Sequence, residues 1–123
     1  MTNIDWVAQE AKQKPGLWYV GSPYSSYPDG MQRAFEDVAK IAGALFKMGV
    51  PVFCPITHGH PLSQYGDVEP GDHDLWMPLD ALFMNACVGL IVARMPLWHQ
   101  SKGLRMEMEA FQAAGKPILL LTP

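Results

Sequence analysis

Two glutamates stand one residue apart in the segment LWHQSKGLRMEMEA, residues 97–110. A helix turns about 100° per residue, so Glu107 and Glu109 cannot share one face of it. Glu109 falls on the polar arc beside Arg105, whereas Glu107 falls among the apolar side chains. Glu107 is therefore predicted to point inward, where an uncompensated carboxylate is costly and its pKa tends to rise.

An inward carboxylate has a structural and a functional interpretation. In the structural one, Glu107 accepts hydrogen bonds from backbone groups or from Tyr19, or it lines a subunit contact. In the functional one, it faces a ligand crevice as a nucleophile or a base. The preceding residues favour the second, because Ser101 stands as the N-cap and Gly103 leaves the first-turn amides accessible. Such a helix N-terminus is typical of anion and phosphate sites, and Lys102 could add charge.

Short apolar runs that alternate with amphipathic segments must position these residues. Strands are predicted for residues 17–20, 50–54, 88–93 and 117–121. Nearly continuous apolar strands separated by helices indicate a parallel sheet that is covered on both faces. The predicted fold is α/β, a small Rossmann-like or flavodoxin-like doubly wound sheet of about four strands with helices on both faces.

The intervening segments complete this architecture. One helix opens after Asp29-Gly30 and ends at Gly49, and another carries Leu75 to Ala86, with Pro78 acceptable only in its first turn. Residues 55–73 are predicted to be a long functional loop, because they are rich in Pro, Gly, His and Asp. We divide the chain into an N-terminal helical extension, residues 1–15, and an α/β domain, residues 16–123.

Composition narrows the function classes. A chain of 123 residues is one domain, and its net charge of −3 argues against a nucleic-acid groove. No apolar run approaches the roughly 20 residues that span a bilayer, and the N-terminus lacks a signal pattern. Cys54 and Cys87 lie in apolar runs, as expected of buried, reduced thiols. These features predict a cytoplasmic protein without a membrane or nucleic-acid partner.

Three stretches resemble the nucleoside 2-deoxyribosyltransferase-like superfamily: WYVGSPYSS, LDALFMNACVGLIV and WHQSKGLRMEMEAFQAAGKPILLL. The closest likeness is to a branch of short bacterial and phage domains of unknown function. The resemblance implies that Glu107 attacks C1′ of a deoxyribonucleoside, that Tyr19 orients it, and that Asp80 assists with the base. A carboxylate suits this role because glycosidic bonds break through an oxocarbenium-like state.

Two positions depart from the family pattern. Relatives that act on free nucleosides carry aspartate at position 101, whereas those that hydrolyse nucleoside 5′-monophosphates carry serine, as here. Ser101 and the Gly103 amide would accept a phosphate that an aspartate would repel. Many relatives also carry an acidic residue where this chain has Val88. Asp80 falls on a flank of its helix and not on the inward face, so the helical pattern does not predict a role for it. Its role is implied by the resemblance alone.

Further candidates follow the predicted strands. His58 and His60 are expected to contact base or sugar, although exposure or a local hydrogen bond is the simpler role for a loop histidine. A metal site formed with the nearby Asp72-His73-Asp74 is disfavoured, because no cysteine pair supports it. His99 could protonate the leaving base, and Trp98 could stack on it or pack in the core. The remaining substrate-binding candidates form the segment after the first strand: Gly21, Ser22, Pro23, Tyr24 and Ser25.

The sequence thus predicts hydrolysis of the N-glycosidic bond of a (deoxy)nucleoside 5′-monophosphate through a covalent glutamyl–deoxyribosyl intermediate. Base exchange by a nucleoside 2-deoxyribosyltransferase is the enzymatic alternative. A non-catalytic nucleotide-binding module is the alternative of another class. No cofactor and no metal are expected, and the resemblance implies a homodimer or a larger assembly.

Overall fold

The computed structural model describes residues 3–123. Five helices and four strands follow one another along the chain. The helices are α1 Ile4–Lys12, α2 Met31–Lys47, α3 Pro55–Gly66, α4 His73–Ala86 and α5 Lys102–Ala113, with a short 3₁₀ turn at Trp98–Gln100. The strands are β1 Trp18–Gly21, β2 Val52–Phe53, β3 Gly89–Ala93 and β4 Ile118–Leu121.

All four strands are parallel, and they lie in the order β2-β1-β3-β4. Tyr19 of β1 lies opposite Phe53 of β2 on one side and Leu90 of β3 on the other. The connection from β1 therefore runs outward to β2, and the next connection returns across β1 to β3. Strand order reverses between β1 and β3, which is the topological switch point at which doubly wound sheets bind ligands.

Each face of the sheet has its own apolar core. On one face Val7 of α1 and Val38 of α2 pack in one core with Val20 of β1. On the other face Leu104 and Phe111 of α5 pack with Tyr19, Leu90 and Val92, and Phe83 of α4 joins them. Helices thus cover both faces, and the predicted α/β Rossmann-like fold is confirmed.

The residues at the start of the described chain protect the outer edge of β4. The Asn3 side-chain amide donates to the Leu120 carbonyl at 3.0 Å and accepts from the Thr122 N–H at 2.8 Å. An unpaired strand edge would otherwise expose these groups. The α1 helix then buries Val7, Ala8 and Ala11 in the core that it shares with α2.

The prediction of a loop over residues 55–73 is wrong. Pro55 begins α3 at a position where its missing N–H costs nothing, and α3 continues to Gly66 through Pro61. The next helix begins at His73, so Pro78 lies inside α4 rather than in its first turn. Within residues 3–123, no helix combines the length and apolarity that crossing a bilayer requires.

Candidate active site

The β1–β3 switch point brings together residues from one strand and two helices, β1, α4 and α5. Gly21 ends β1, α5 crosses above it, and α4 packs on the same face of the sheet. Because α5 follows β3, its first turns lie at the carboxyl edge of the sheet. The side chains of Tyr19, Asp80 and Glu107 consequently converge on this edge.

Glu107 and Tyr19 form the central contact. The Tyr19 hydroxyl donates to Glu107 Oε2 at 2.6 Å, and the Tyr19 ring is fully buried between Phe53 and Phe111. Glu107 is partly buried, whereas Glu109 is exposed, as the helical spacing predicts. A short hydrogen bond to an ionisable group is among the stronger ones in proteins, so it fixes the carboxylate.

Gly21 lies directly beneath this carboxylate. A Cβ atom at position 21 would stand 2.8 Å from Leu104 Cδ1 and 3.1 Å from Glu107 Oε1. Only glycine lets α5 approach β1 this closely. The sequence predicts Gly21 to be a substrate contact. In the structure Gly21 packs directly against the Glu107 carboxylate.

Burial raises the pKa of both carboxyl groups. Burial raises the pKa of Glu107 to about 8, the Tyr19 hydrogen bond opposes this, and the charge of Asp80 adds to it. Burial raises the pKa of Asp80 to about 6, and His58 opposes that rise. Interacting carboxyl groups titrate as a pair. Between pH 6 and pH 8 the pair therefore holds approximately one proton, which is a state suited to acid–base work.

Aromatic rings form a wall beside the carboxyl pair. Phe53 of β2 and Phe83 of α4 are stacked, with ring centroids 3.8 Å apart. The exposed His58 ring lies 5.8 Å from Phe53 and 6.0 Å from Phe83. Sequence reasoning missed both phenylalanines. The signal was present, because Phe83 lies one helical turn after Asp80 and Phe53 precedes the end of a strand.

The N-terminus of α5 has the predicted cap. Ser101 is buried, and its Oγ accepts the Leu104 N–H at 3.2 Å. The first-turn N–H groups of Lys102 and Gly103 have no intrahelical acceptor, and Gly103 is exposed with open space around it. From Gly103 to Glu107 the helix rises about 6 Å. An anion at this terminus would therefore lie about one turn from the carboxylate.

Tyr24 and His60 form a separate group on the α2 side of α3. His60 Nδ1 lies 2.6 Å from the Tyr24 hydroxyl, His60 Nε2 lies 2.9 Å from Gln32 Oε1, and the ring stacks on Phe35. Gln32 Nε2 donates to the Glu36 carboxylate, so Gln32 Oε1 is the atom that accepts from His60 Nε2. The structure therefore assigns His60 to holding α3 against α2.

The remaining candidates lie around the same edge without direct contact with Glu107. Ser22 and Pro23 are buried, and Ser25 is exposed. Across residues 3–123, the buried side-chain atoms without a hydrogen-bond partner are Ser22 Oγ, Ser26 Oγ and Arg94 Nε. Trp98 packs against the core on the α5 face, and the exposed His99 lies edge-on to it at 6.0 Å.

A family model matches most of the chain. The model of a family described as a domain of unknown function, DUF1937, matches residues 16–122. That range contains β1 to β4 and every residue of the site described above. No curated protein matches the chain.

Proposed function

The chain belongs to the DUF1937 family of domains of unknown function, and from its site we propose that it hydrolyses the N-glycosidic bond of a (deoxy)nucleoside 5′-monophosphate. The observation that carries the proposal is the Tyr19–Glu107 hydrogen bond at the switch point, with Asp80 beside it. Most enzymes that hydrolyse glycosidic bonds use two carboxyl groups whose pKa values differ.

In the first step Glu107 attacks C1′ of the sugar. The oxygen–C1′ bond forms while the C1′–N bond breaks, and the bonding electron pair leaves with the base. The base takes up the one proton that Glu107 and Asp80 share near neutral pH. Tyr19 holds the attacking group in place, which lowers the entropic cost of the step.

In the second step water resolves the glycosyl–enzyme ester. The water oxygen bonds to C1′, the ester bond breaks, and Glu107 is released as a carboxylate. The proton lost by water returns to the carboxyl pair, with Asp80 as its first acceptor. The pair thus ends the cycle with the proton count with which it began.

The preference for a monophosphate is supported by the N-terminus of α5. Open N–H groups, the helix dipole and Lys102 favour an anion there. The separation of about 6 Å along the helix suits a ligand whose phosphate and C1′ are bridged by one sugar ring. Phe53, Phe83 and His58 supply aromatic rings beside the carboxyl pair, against which the base can pack.

The test is incubation of the pure protein with matched panels of nucleoside 5′-monophosphates and nucleosides, with free base followed by chromatography. Glu107→Gln serves as the inactive variant, and Glu109→Gln on the exposed face of α5 is the matched control. We expect base release from monophosphates by the wild type and Glu109→Gln only. Release mainly from free nucleosides would contradict the phosphate assignment.

Two further outcomes would replace the proposal. Exchange of an added acceptor base into the product would identify a 2-deoxyribosyltransferase. Nucleotide binding without product, unchanged in Glu107→Gln, would identify a binding module. Intact-protein mass after acid quenching reports the covalent intermediate, which should appear in the wild type and be missing in Glu107→Gln.

We also propose that the protein assembles as a homodimer or larger. Large apolar side chains are exposed on α3 and α4: Leu62, Tyr65, Leu75 and Leu82. Light scattering should give at least twice the chain mass for the wild type, and less for Leu75→Lys/Leu82→Lys. Phe46→Lys, an exposed position on α2, is the control, and a monomeric wild type would refute assembly.

A further inference from the structure

The two oxygens of the Glu107 carboxylate have different surroundings. Oε2 accepts the Tyr19 hydroxyl, whereas no hydrogen bond to Oε1 is found within residues 3–123. Oε1 is also not one of the buried unpaired atoms of that range, so solvent reaches it. The carboxylate therefore has one held oxygen and one open oxygen.

Gly21 lies next to the open oxygen. Oε1 lies above the Gly21 Cα, in space that any side chain would enter, since a Cβ atom would stand 3.1 Å from it. The same Cβ would press Leu104 Cδ1 at 2.8 Å and so push α5 away from β1. Both effects would separate the carboxylate from the Tyr19 hydroxyl, because Tyr19 belongs to the rigid strand β1.

We propose that Gly21 is a positioning residue that keeps Glu107 Oε1 open, and that Oε1 is the oxygen that attacks C1′. The inference rests on the proposed function. In the covalent step the Oε1–C1′ bond forms, the C1′–N bond breaks, and the electron pair and one proton leave with the base. Oε2 keeps its hydrogen bond to Tyr19 throughout, which fixes the direction in which Oε1 points.

The experiment compares Gly21→Ala with two controls and one relieving variant. Gly43→Ala, in a helix with open space around the Cβ position, controls for a glycine-to-alanine change. Leu104→Val, alone and combined with Gly21→Ala, removes the δ-carbon that the new methyl would strike. Thermal midpoint, kcat and KM for base release, and the NMR titration of the ¹³C-labelled Glu107 carboxyl are measured for each.

We expect Gly21→Ala to lower kcat about 100-fold with little change in KM, the usual effect of a misplaced reacting group. The Glu107 titration should move upward, because the methyl shields Oε1 from water and weakens the Tyr19 bond. In the double variant the thermal midpoint should recover while kcat and the titration stay altered.

Recovery of all three properties in the double variant would overturn the proposal, since Leu104 packing would then explain the loss. An unchanged kcat and titration in Gly21→Ala would overturn it as well. Absence of base release by the wild type would instead refute the proposed function. In that case an altered Glu107 titration in Gly21→Ala would still support the positioning role, and an unaltered one would reject it.

Discussion

Replacing Glu107 by glutamine should remove most of the pH dependence of stability above pH 6. The folded protein binds a proton at Glu107 more tightly than the unfolded chain does, because burial raises its pKa from 4.5 to about 8. Stability is therefore full below about pH 4.5 and falls as the pH rises through 8. Asp80, with a pKa of about 6, contributes its part of this fall at lower pH.

The magnitude follows from the size of the pKa change. Full ionisation of Glu107 would cost about 5 kcal/mol at about 1.4 kcal/mol per pH unit. Only the fall between pH 6 and the folded pKa of about 8 lies in the range from pH 6 to pH 9, and this part is at most about 2.7 kcal/mol. Solvent reaches part of the side chain and screens the charge, so the expected loss over that range is about 1–2.5 kcal/mol. Glutamine carries no charge and can still accept the Tyr19 hydroxyl through its carbonyl oxygen.

Urea unfolding followed by tryptophan fluorescence at pH 6, 7.5 and 9 measures this difference. The wild type should lose stability across the series, and Glu107→Gln should stay nearly constant and be the more stable protein at pH 9. Glu109→Gln, on the exposed face of the same helix, should follow the wild type. A parallel decline in wild type and Glu107→Gln would refute the assignment of the proton to Glu107.

Three other measurements probe the same arrangement. The profile of kcat/KM against pH should be bell-shaped, with apparent pKa values near 6 and 8, because in the proposed mechanism the carboxyl pair holds one proton. A profile that is flat from pH 5 to pH 9 would contradict this. Tyr19→Phe should lower kcat about 10- to 100-fold and raise the pKa of Glu107, because the hydrogen bond to its carboxylate is lost. The pKa is measured by ¹³C NMR, and an unchanged pKa would show that this hydrogen bond does not stabilise the carboxylate. Asn3→Ala should lower the free energy of unfolding by about 1–2 kcal/mol, since two hydrogen bonds along the β4 edge disappear, whereas an unchanged urea midpoint would show that the edge is stable without them.

The strands and the orientation of α5 were predictable because they depend on local periodicity. Apolar runs place β1, β3 and β4 within about one residue of their observed bounds, and a rotation of 100° per residue separates Glu107 from Glu109. Each of these features is a property of neighbouring residues. Burial of one face then follows from the fold class.

Helix α3 was not predictable in this way. Its Gly59 and Pro61 disfavour a helix locally, and its sequence shows little amphipathic pattern. What holds it is tertiary: His60 inserts between Tyr24, Gln32 and Phe35, which come from the β1–α2 segment and from α2. Contacts between residues about 30 positions apart leave no signal in local propensity.

The inward glutamate raised a choice between a structural and a functional role, and the surroundings of its carboxylate favour the second. A structural carboxylate is satisfied by several donors, whereas among residues 3–123 Glu107 has one donor, at Oε2, and an open Oε1. Asp80 adds repulsion that a glutamine at position 107 would avoid. Glycine at position 21 costs backbone conformational entropy in a strand, but it leaves the space in which the carboxylate lies. Three unfavourable features at one point of a well-packed sheet support the proposal that this carboxyl group serves chemistry.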